Sequence, residues 1–326
     1  VRWTINQSPV RIQQTTVVAR GASLIIDPGV EVQIAPGTAI FVEGVLSAFG
    51  QPDRPVRFIS IDPARSRWDA IYLKPGSTVI LEQTELIRGG AGGVVIGSEA
   101  ANLALRGVRA IDNGGQILAN NSNVEIRDTE IRGSELPFGA VIELTYNREG
   151  QATLIGNRLI NNLLPKNAPN MRVVNLSTTQ VVNVDIQGNL LVGQSGPNLT
   201  LQMEKLLPEE TTSNMVGNVV CNAFLNGTNG LSVRSQATQI LQVQLNVRSN
   251  AIEGHTPTIQ PIYLNRNGIG RGATSEVPLD MRENWWDDPS GPYSAERYAD
   301  GLGEAVSELI VFEPWQTSRP ECAPRP

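Results

Sequence analysis

The sequence predicts an all-β solenoid, and three observations carry that prediction. A four-residue frame recurs along the chain, the fourth position of that frame turns into asparagine, and short Val/Ile/Leu runs alternate with polar residues between Gly, Pro and Asn punctuation. The frame occupies Leu81 to Thr84, Leu105 to Val108, Ile126 to Thr129, Leu154 to Asn157, Ile186 to Asn189, Met215 to Asn218, Val247 to Asn250 and Met281 to Asn284. Its spacing of roughly 21 to 34 residues is that of a repeat in which each turn buries its apolar face only by stacking on its neighbours.

Each frame position has an expected direction. The fourth reads Thr84, Val108, Thr129 and then Asn157, Asn189, Asn218, Asn250 and Asn284, an inward turn position with an asparagine ladder along its second half. Stacked amides donate to and accept from the same residue one turn away, which keeps a buried polar row satisfied. The sixth position reads Leu86, Ala110, Ile131, Leu159, Leu191, Val220, Ile252 and Trp286, all suited to a core. The fifth reads Glu85, Arg109, Glu130 and Arg158, an outward row of alternating charge that pairs across neighbouring strands.

At 326 residues the chain exceeds one ordinary compact core, but a solenoid grows along one axis and escapes that limit. The expected division is an N-terminal cap at 1–16, about ten to twelve solenoid rungs at 17–284, a C-terminal cap at 285–317 and a Pro-rich tail or linker at 318–326. Ser294 to Ile310 is the best helical stretch, yet Gly301 and Gly303 interrupt it at roughly 1 kcal/mol each.

A formal net charge of −6 with no basic run disfavours nucleic acid as a partner. No apolar stretch reaches the roughly 18 residues of a bilayer span. A start at Val1 rather than Met suggests a processed or excised fragment. The two cysteines, Cys221 and Cys322, are either a disulfide that ties the tail down in an oxidising compartment or two unrelated thiols. Sequons begin at Asn6, Asn120, Asn175, Asn198 and Asn226, a number that chance supplies in so Asn-rich a chain.

Two Pro-Gly pairs, Pro28-Gly29 and Pro36-Gly37, punctuate the strands of Gly21 to Gly37, and Pro75-Gly76 follows, as type II turns do. That stretch, with Ala39 to Gly50, Pro55 to Ser60 and Trp68 to Leu73, resembles the N-terminal part of secreted bacterial right-handed parallel β-helix repeat proteins of pectate-lyase-like architecture. Asn284 to Pro292 with Val311-Phe312-Glu313-Pro314-Trp315 resembles their closing segment, with Asp287 where that group commonly has Gly. The resemblance implies a single-stranded right-handed parallel β-helix with two or three sheets, in a group that holds surface proteins, adhesin-like modules and carbohydrate-active enzymes.

Chemistry-bearing residues are sparse. His255 is the single histidine, so a catalytic triad or a His/Cys zinc site has little to build on, and a loop position after Gly254 is its expected role. Calcium is the one cofactor left open, through Glu283, Asp287 and Asp288, against an ordinary exposed Asp-Asp-Pro-Ser-Gly turn. An enzyme acting on acidic polysaccharide would draw on Arg106, Arg127, Asp128 and Glu143, with Asp112, Tyr146 and Arg148 nearby, but cross-turn charge pairing predicts the same composition. Tyr263 and Arg266, beside the Gly-rich 267–272, are the expected ligand-binding patch outside the cap, whose bulk Trp285, Trp286 and Trp315 supply.

The sequence thus favours an extracellular or cell-surface structural or adhesive module without catalysis. Its partners would be polysaccharide or other surface proteins, with self-assembly through end caps. A lyase, epimerase or hydrolase of acidic polysaccharide and a non-catalytic carbohydrate-binding module are the alternatives.

Overall fold

The structure is a computed structural model that describes residues 1–177, 179–203, 214–235, 244–255 and 271–326. The chain divides into two compact units, Val1–Leu144 with Ile160–Leu163, and Thr145–Leu159 with Leu164–Pro326. Among the described residues both are all-β, without α-helix. The stretch from Ser294 to Ile310 forms turns, isolated bridges and the short strand Ala305–Val306. Its glycines close against backbone: a Cβ on Gly301 would lie 2.1 Å from the Pro292 carbonyl oxygen.

In the first unit every third strand pairs in parallel with its predecessor, so each turn of chain places one strand in each of three sheets. The first sheet stacks Arg2–Trp3, Ser23–Ile26, Val45–Phe49, Thr78–Glu82, Asn102–Arg106 and Asn123–Arg127. The second stacks Val10–Ile12, Glu31–Ile34, Val56–Ser60, Thr84–Ile87, Arg109–Ile111 and Glu130–Arg132. The third begins Thr16–Val18, Ile40–Val42, Ile71–Leu73, Val94–Glu99 and Gln116–Asn120, and the unit boundary falls inside its next strand, Ile142–Tyr146. Residues 1–16 thus already contribute strands to the sheets.

The second unit repeats the pattern. Its first sheet holds Gly150–Ile155, Val182–Gln187, Met215–Val220 and Gln244–Arg248, and its second Leu190–Gly193, Ala223–Asn226 and Ala251–Glu253 after Arg158–Ile160. Its third holds Met171–Asn175, Pro197–Met203, Asn229–Ser235, Arg271–Ser275 and Ala305–Val306. The solenoid expected from the repeat is therefore a parallel β-helix in each unit.

The recurring quartet is the corner between the first and second sheets. Its third residue takes the left-handed backbone conformation every time: Gln83, Gly107, Asp128, Gly156, Gly188, Cys221, Ser249 and Glu283 all have φ between 43° and 69°. One such residue reverses the in/out alternation, so the residue after it points inward and the next strand departs in a new direction. Thr84 and Thr129, which follow Gln83 and Asp128, lock their corners by donating from Oγ1 to the carbonyls of Glu82 and Arg127, both at 3.0 Å. Behind the corner Phe58, Leu86, Ala110 and Ile131 stack in register, bulky beside small, with no more than 3 % exposure.

In the second unit the inward position is a continuous asparagine column: Asn157, Asn189, Asn222, Asn250 and Asn284, each fully buried. The side-chain oxygen of Asn189 accepts both from the backbone N–H and from the amide of Asn157, each at 2.9 Å. Asn222 does the same for Asn189, and Asn250 for Asn222, at 2.9 Å throughout. Asn284 accepts from Asn250 at 2.8 and 2.9 Å. The remaining amide hydrogens reach strand carbonyls of the turn before, as from Asn222 to Ile186 at 3.0 Å and from Asn250 to Val219 at 2.8 Å.

This column corrects one rung of the sequence frame. Asn218 is not in it: it lies within the strand Met215–Val220, where its side-chain oxygen accepts from the exposed Asn246 at 3.2 Å. The true quartet is Val219-Val220-Cys221-Asn222, and the core position two residues on is Phe224, in register with Leu191 and Ile252, rather than Val220.

The tail folds back on the second unit. Cys221 and Cys322 form a disulfide with Cα atoms 5.3 Å apart, spanning 101 residues of sequence. Arg319 meets Glu253 at 3.1 Å and donates to the carbonyls of Ala323 and Pro324, while Ala323 packs with Ala251 and Trp285.

Candidate functional site

Charged residues on the outer faces of the first unit stack in register. On the second sheet Glu31, Arg57, Glu85, Arg109 and Glu130 occupy equivalent positions in successive turns, alternating in sign. Arg57 bridges Glu31 at 3.3 Å and Glu85 at 3.0 Å, and Arg109 reaches Glu85 at 2.9 Å. The expected alternation of Glu85, Arg109 and Glu130 is present and starts two turns earlier. Arg158 belongs to the other unit, where it donates to the Arg325 carbonyl at 3.3 Å.

The first sheet carries the residues that the polysaccharide-enzyme reading would use. Glu82, Arg106 and Arg127 stack in register. Arg106 bridges Glu82 at 2.7 Å and Glu125 at 2.9 Å, and Arg127 holds Glu125 at 2.7 Å. The hydrogen bond from Arg106, ahead of that from Arg127, holds the Glu125 carboxyl below the usual range, while Glu125 and Glu82 raise the Arg106 guanidinium further. Asp128 sits next to them at the left-handed corner position, exposed. Glu143 lies elsewhere, on the third-sheet strand Ile142–Tyr146, accepting from the Ala140 N–H at 3.2 Å. Asp112 takes another left-handed turn position, at φ 53°.

Tyr146 is not an outward group. It is 1 % exposed, donates from its hydroxyl to the Gln151 carbonyl at 3.1 Å, and burial pushes its phenol up.

At the closing turn the three carboxylates weighed for calcium have protein partners. Glu283 pairs with Arg248 at 3.1 Å, Asp287 accepts from the Gly254 N–H at 3.1 Å, and Asp288 accepts from the Ser290 N–H and hydroxyl at 2.8 and 2.7 Å. Those Ser290 bonds hold the Asp288 carboxyl low. Among the described residues no group of three His, Cys, Asp or Glu is placed to hold a metal ion. Asp287 has φ 70°, the conformation that explains why a glycine suits that position. Trp285 and Trp286 are buried, and Trp315 packs against Tyr298 and Phe312 with centroids 5.1 and 6.3 Å apart.

His255 is no simple loop residue. Its side chain is fully buried, with Nδ1 3.1 Å from Glu304 Oε1 and Nε2 2.8 Å from Asn198 Oδ1. The Asn198 amide nitrogen donates to the carbonyls of Leu191 and Leu225, which leaves its oxygen to accept. The network joins the second and third sheets to the closing segment, and it also rules out Asn198 as a glycan acceptor. Asn175 is equally buried, its amide committed to the Gln180 and Asn214 carbonyls.

A concave polar surface in the second unit lies over its third sheet. Arg172, Thr200, Ser232 and Thr274 stand in register on four adjacent strands and line a groove of about 460 Å³ with Asn229, Arg234, Arg271 and Glu276. Asn229 donates to the Thr274 hydroxyl at 2.9 Å, which donates to Ser232 at 3.4 Å. Glu276, its one carboxylate among the described residues, accepts from the Ser235 N–H at 2.8 Å. Three guanidinium groups and a row of hydroxyls suit an anionic, hydroxyl-rich ligand. The frame could not reveal this groove, because third-sheet strands lie at variable distances from the corner quartets. The ligand-binding candidates Tyr263 and Arg266 lie outside the described residues.

No family model, no curated protein and no solved structure matches this chain. The resemblance read from the sequence therefore holds at the level of architecture, a repeating three-sheet parallel β-fold.

Proposed function

We propose that this protein is a rigid β-helix module with a structural or adhesive role and no catalysis, working outside the reducing cytosol. The observation that carries the reading is the cross-turn pairing of the outer charges. Arg57, Arg106 and Arg109 and their glutamates neutralise one another between turns, the work of a scaffold surface rather than of an acid/base site. The asparagine column adds rigidity from within, and the Cys221–Cys322 disulfide supports an extracellular or cell-surface setting.

The groove over the third sheet of the second unit favours a second, compatible reading: adhesion to an acidic polysaccharide through Arg172, Arg234 and Arg271. Incubation with a panel of acidic and neutral polysaccharides, reading both turnover and saturable binding, tests both. The expected result is no turnover, with acidic chains bound and binding weakened by Arg234→Gln. Turnover that disappears in a folded Asp128→Ala variant would overturn the scaffold reading in favour of a lyase or hydrolase. Absence of binding removes the adhesive reading and leaves the scaffold.

A further inference from the structure

We infer that the first unit carries a seat for an oxyanion-bearing ligand of sugar size, built from Arg65, Arg67 and Arg88. These arginines line one cleft of about 520 Å³ beside Gly114, Leu136 and Pro137. That volume exceeds what a bare inorganic anion fills and falls among small-molecule sites. Leu136 and Pro137 give it an apolar wall for the body of such a ligand.

The cleft is constructed rather than incidental. Trp68 is fully buried, its indole donates to the Ile87 carbonyl at 2.9 Å, and its backbone N–H donates to the Arg88 carbonyl at 3.1 Å. Those bonds hold Arg67 and Arg88 side by side from different turns of the helix. Asn113 pins the turn that carries Arg88: its side-chain oxygen accepts from the Gly89 N–H at 2.7 Å and its amide donates to Leu86 at 3.0 Å. Arg67 lies flat across Gly114, where a Cβ would come within 2.8 Å of its Cδ and 2.9 Å of its Nε. A side chain at that position would displace the guanidinium.

Charge in the cleft is unbalanced. Its single carboxylate, Glu135, is 67 % exposed and stands 4.0 Å from the Arg67 guanidinium. The Nε atoms of Arg67 and of Arg88 are buried and meet no acceptor. This contrasts with Arg57, Arg106 and Arg109 of the same unit, each held by glutamate within 3.3 Å. Guanidinium groups with spare donors call for acceptor oxygens, and a carboxylate or sulfate presents them in matching geometry. The seat is distinct from the groove of the second unit and does not depend on the reading given to it.

Isothermal titration of the full chain at low ionic strength with galacturonate, inorganic sulfate and galactose tests the inference. Galacturonate is expected to saturate one site and galactose none. Sulfate that competes with galacturonate identifies the oxyanion as the recognised group, and sulfate that does not compete assigns the seat to a carboxylate. Arg67→Gln with Arg88→Gln should weaken galacturonate at least about tenfold, since charge-assisted bidentate bonds are among the strongest. Arg57→Gln, on the ion-paired face, should leave binding unchanged. Should the double variant fail to fold, the exposed Arg65→Gln replaces it, with a loss of several-fold expected. Galactose bound as well as galacturonate, no saturable binding of galacturonate or sulfate, or undiminished binding by a folded variant would overturn the seat.

Discussion

Replacing Asn222 by alanine removes one rung of the buried asparagine column and makes the sharpest test of the fold. The substitution deletes the acceptor used by the Asn189 N–H and amide, and the donor that serves Asn250 and the Ile186 carbonyl. The Asn189 amide still reaches the Leu154 carbonyl, and the backbone N–H at 222 still serves Asn250. One buried backbone group, the Asn189 N–H, loses its partner, while the Ile186 carbonyl stays in the parallel ladder between its strand and Met215–Val220. At about 1 to 3 kcal/mol for a buried group left unsatisfied, the expected destabilisation is about 2 kcal/mol. For a unit of this size that corresponds to a fall in Tm of about 5 °C. Asn218→Ala, four residues away on the exposed side, should stay within about 0.5 kcal/mol. Thermal unfolding by circular dichroism measures both, and hydrogen exchange locates the loss at Asn189. Equal shifts for the two variants would refute the column.

Other perturbations probe other parts. Cys322→Ser, or reduction, opens a link spanning 101 residues and should lower the stability of the second unit by about 4 to 5 kcal/mol on the chain-entropy estimate, seen as an earlier urea midpoint. Glu304→Ala takes the hydrogen-bond partner from the buried His255 ring and backbone N–H, a loss of about 1 to 3 kcal/mol that the same urea titration would register. Because Arg106 holds the folded Glu125 carboxyl below its ordinary value of 4.5, its contribution is complete above that pH and is lost as pH falls through the lowered value. Acid unfolding of the first unit should therefore begin below about pH 4.5, and Glu125→Gln should flatten that dependence.

Much of the architecture is legible in the residues because a β-helix repeats its corner, and a corner has narrow requirements. One left-handed residue followed by one inward residue leaves a mark that survives when the strands between drift in length. The error at Asn218 has the same origin. Gly217-Asn218 imitates the Gly-Asn corners at 156–157 and 188–189, whereas the actual corner gives the left-handed place to Cys221. Glu31 and Arg57 escaped the charge row because the Pro-Gly turns of the first stretch conceal the frame there. Candidate sites were harder to read. Arg67 and Arg88 meet through Trp68 and Asn113, contacts between turns that no local spacing encodes. His255, Asn198 and Glu304 come together across 57 and 49 residues of sequence.

The asparagine column runs one way. From Asn157 to Asn250 each backbone N–H and amide donates to the side-chain oxygen of the asparagine that follows, so the two edges of a winding present unlike sets of partners. Such a winding is a transferable cassette. A duplicate spliced in whole meets complementary partners above and below, while a reversed or partial copy meets its own kind, so growth of this protein by duplication is quantised in complete circuits of the chain.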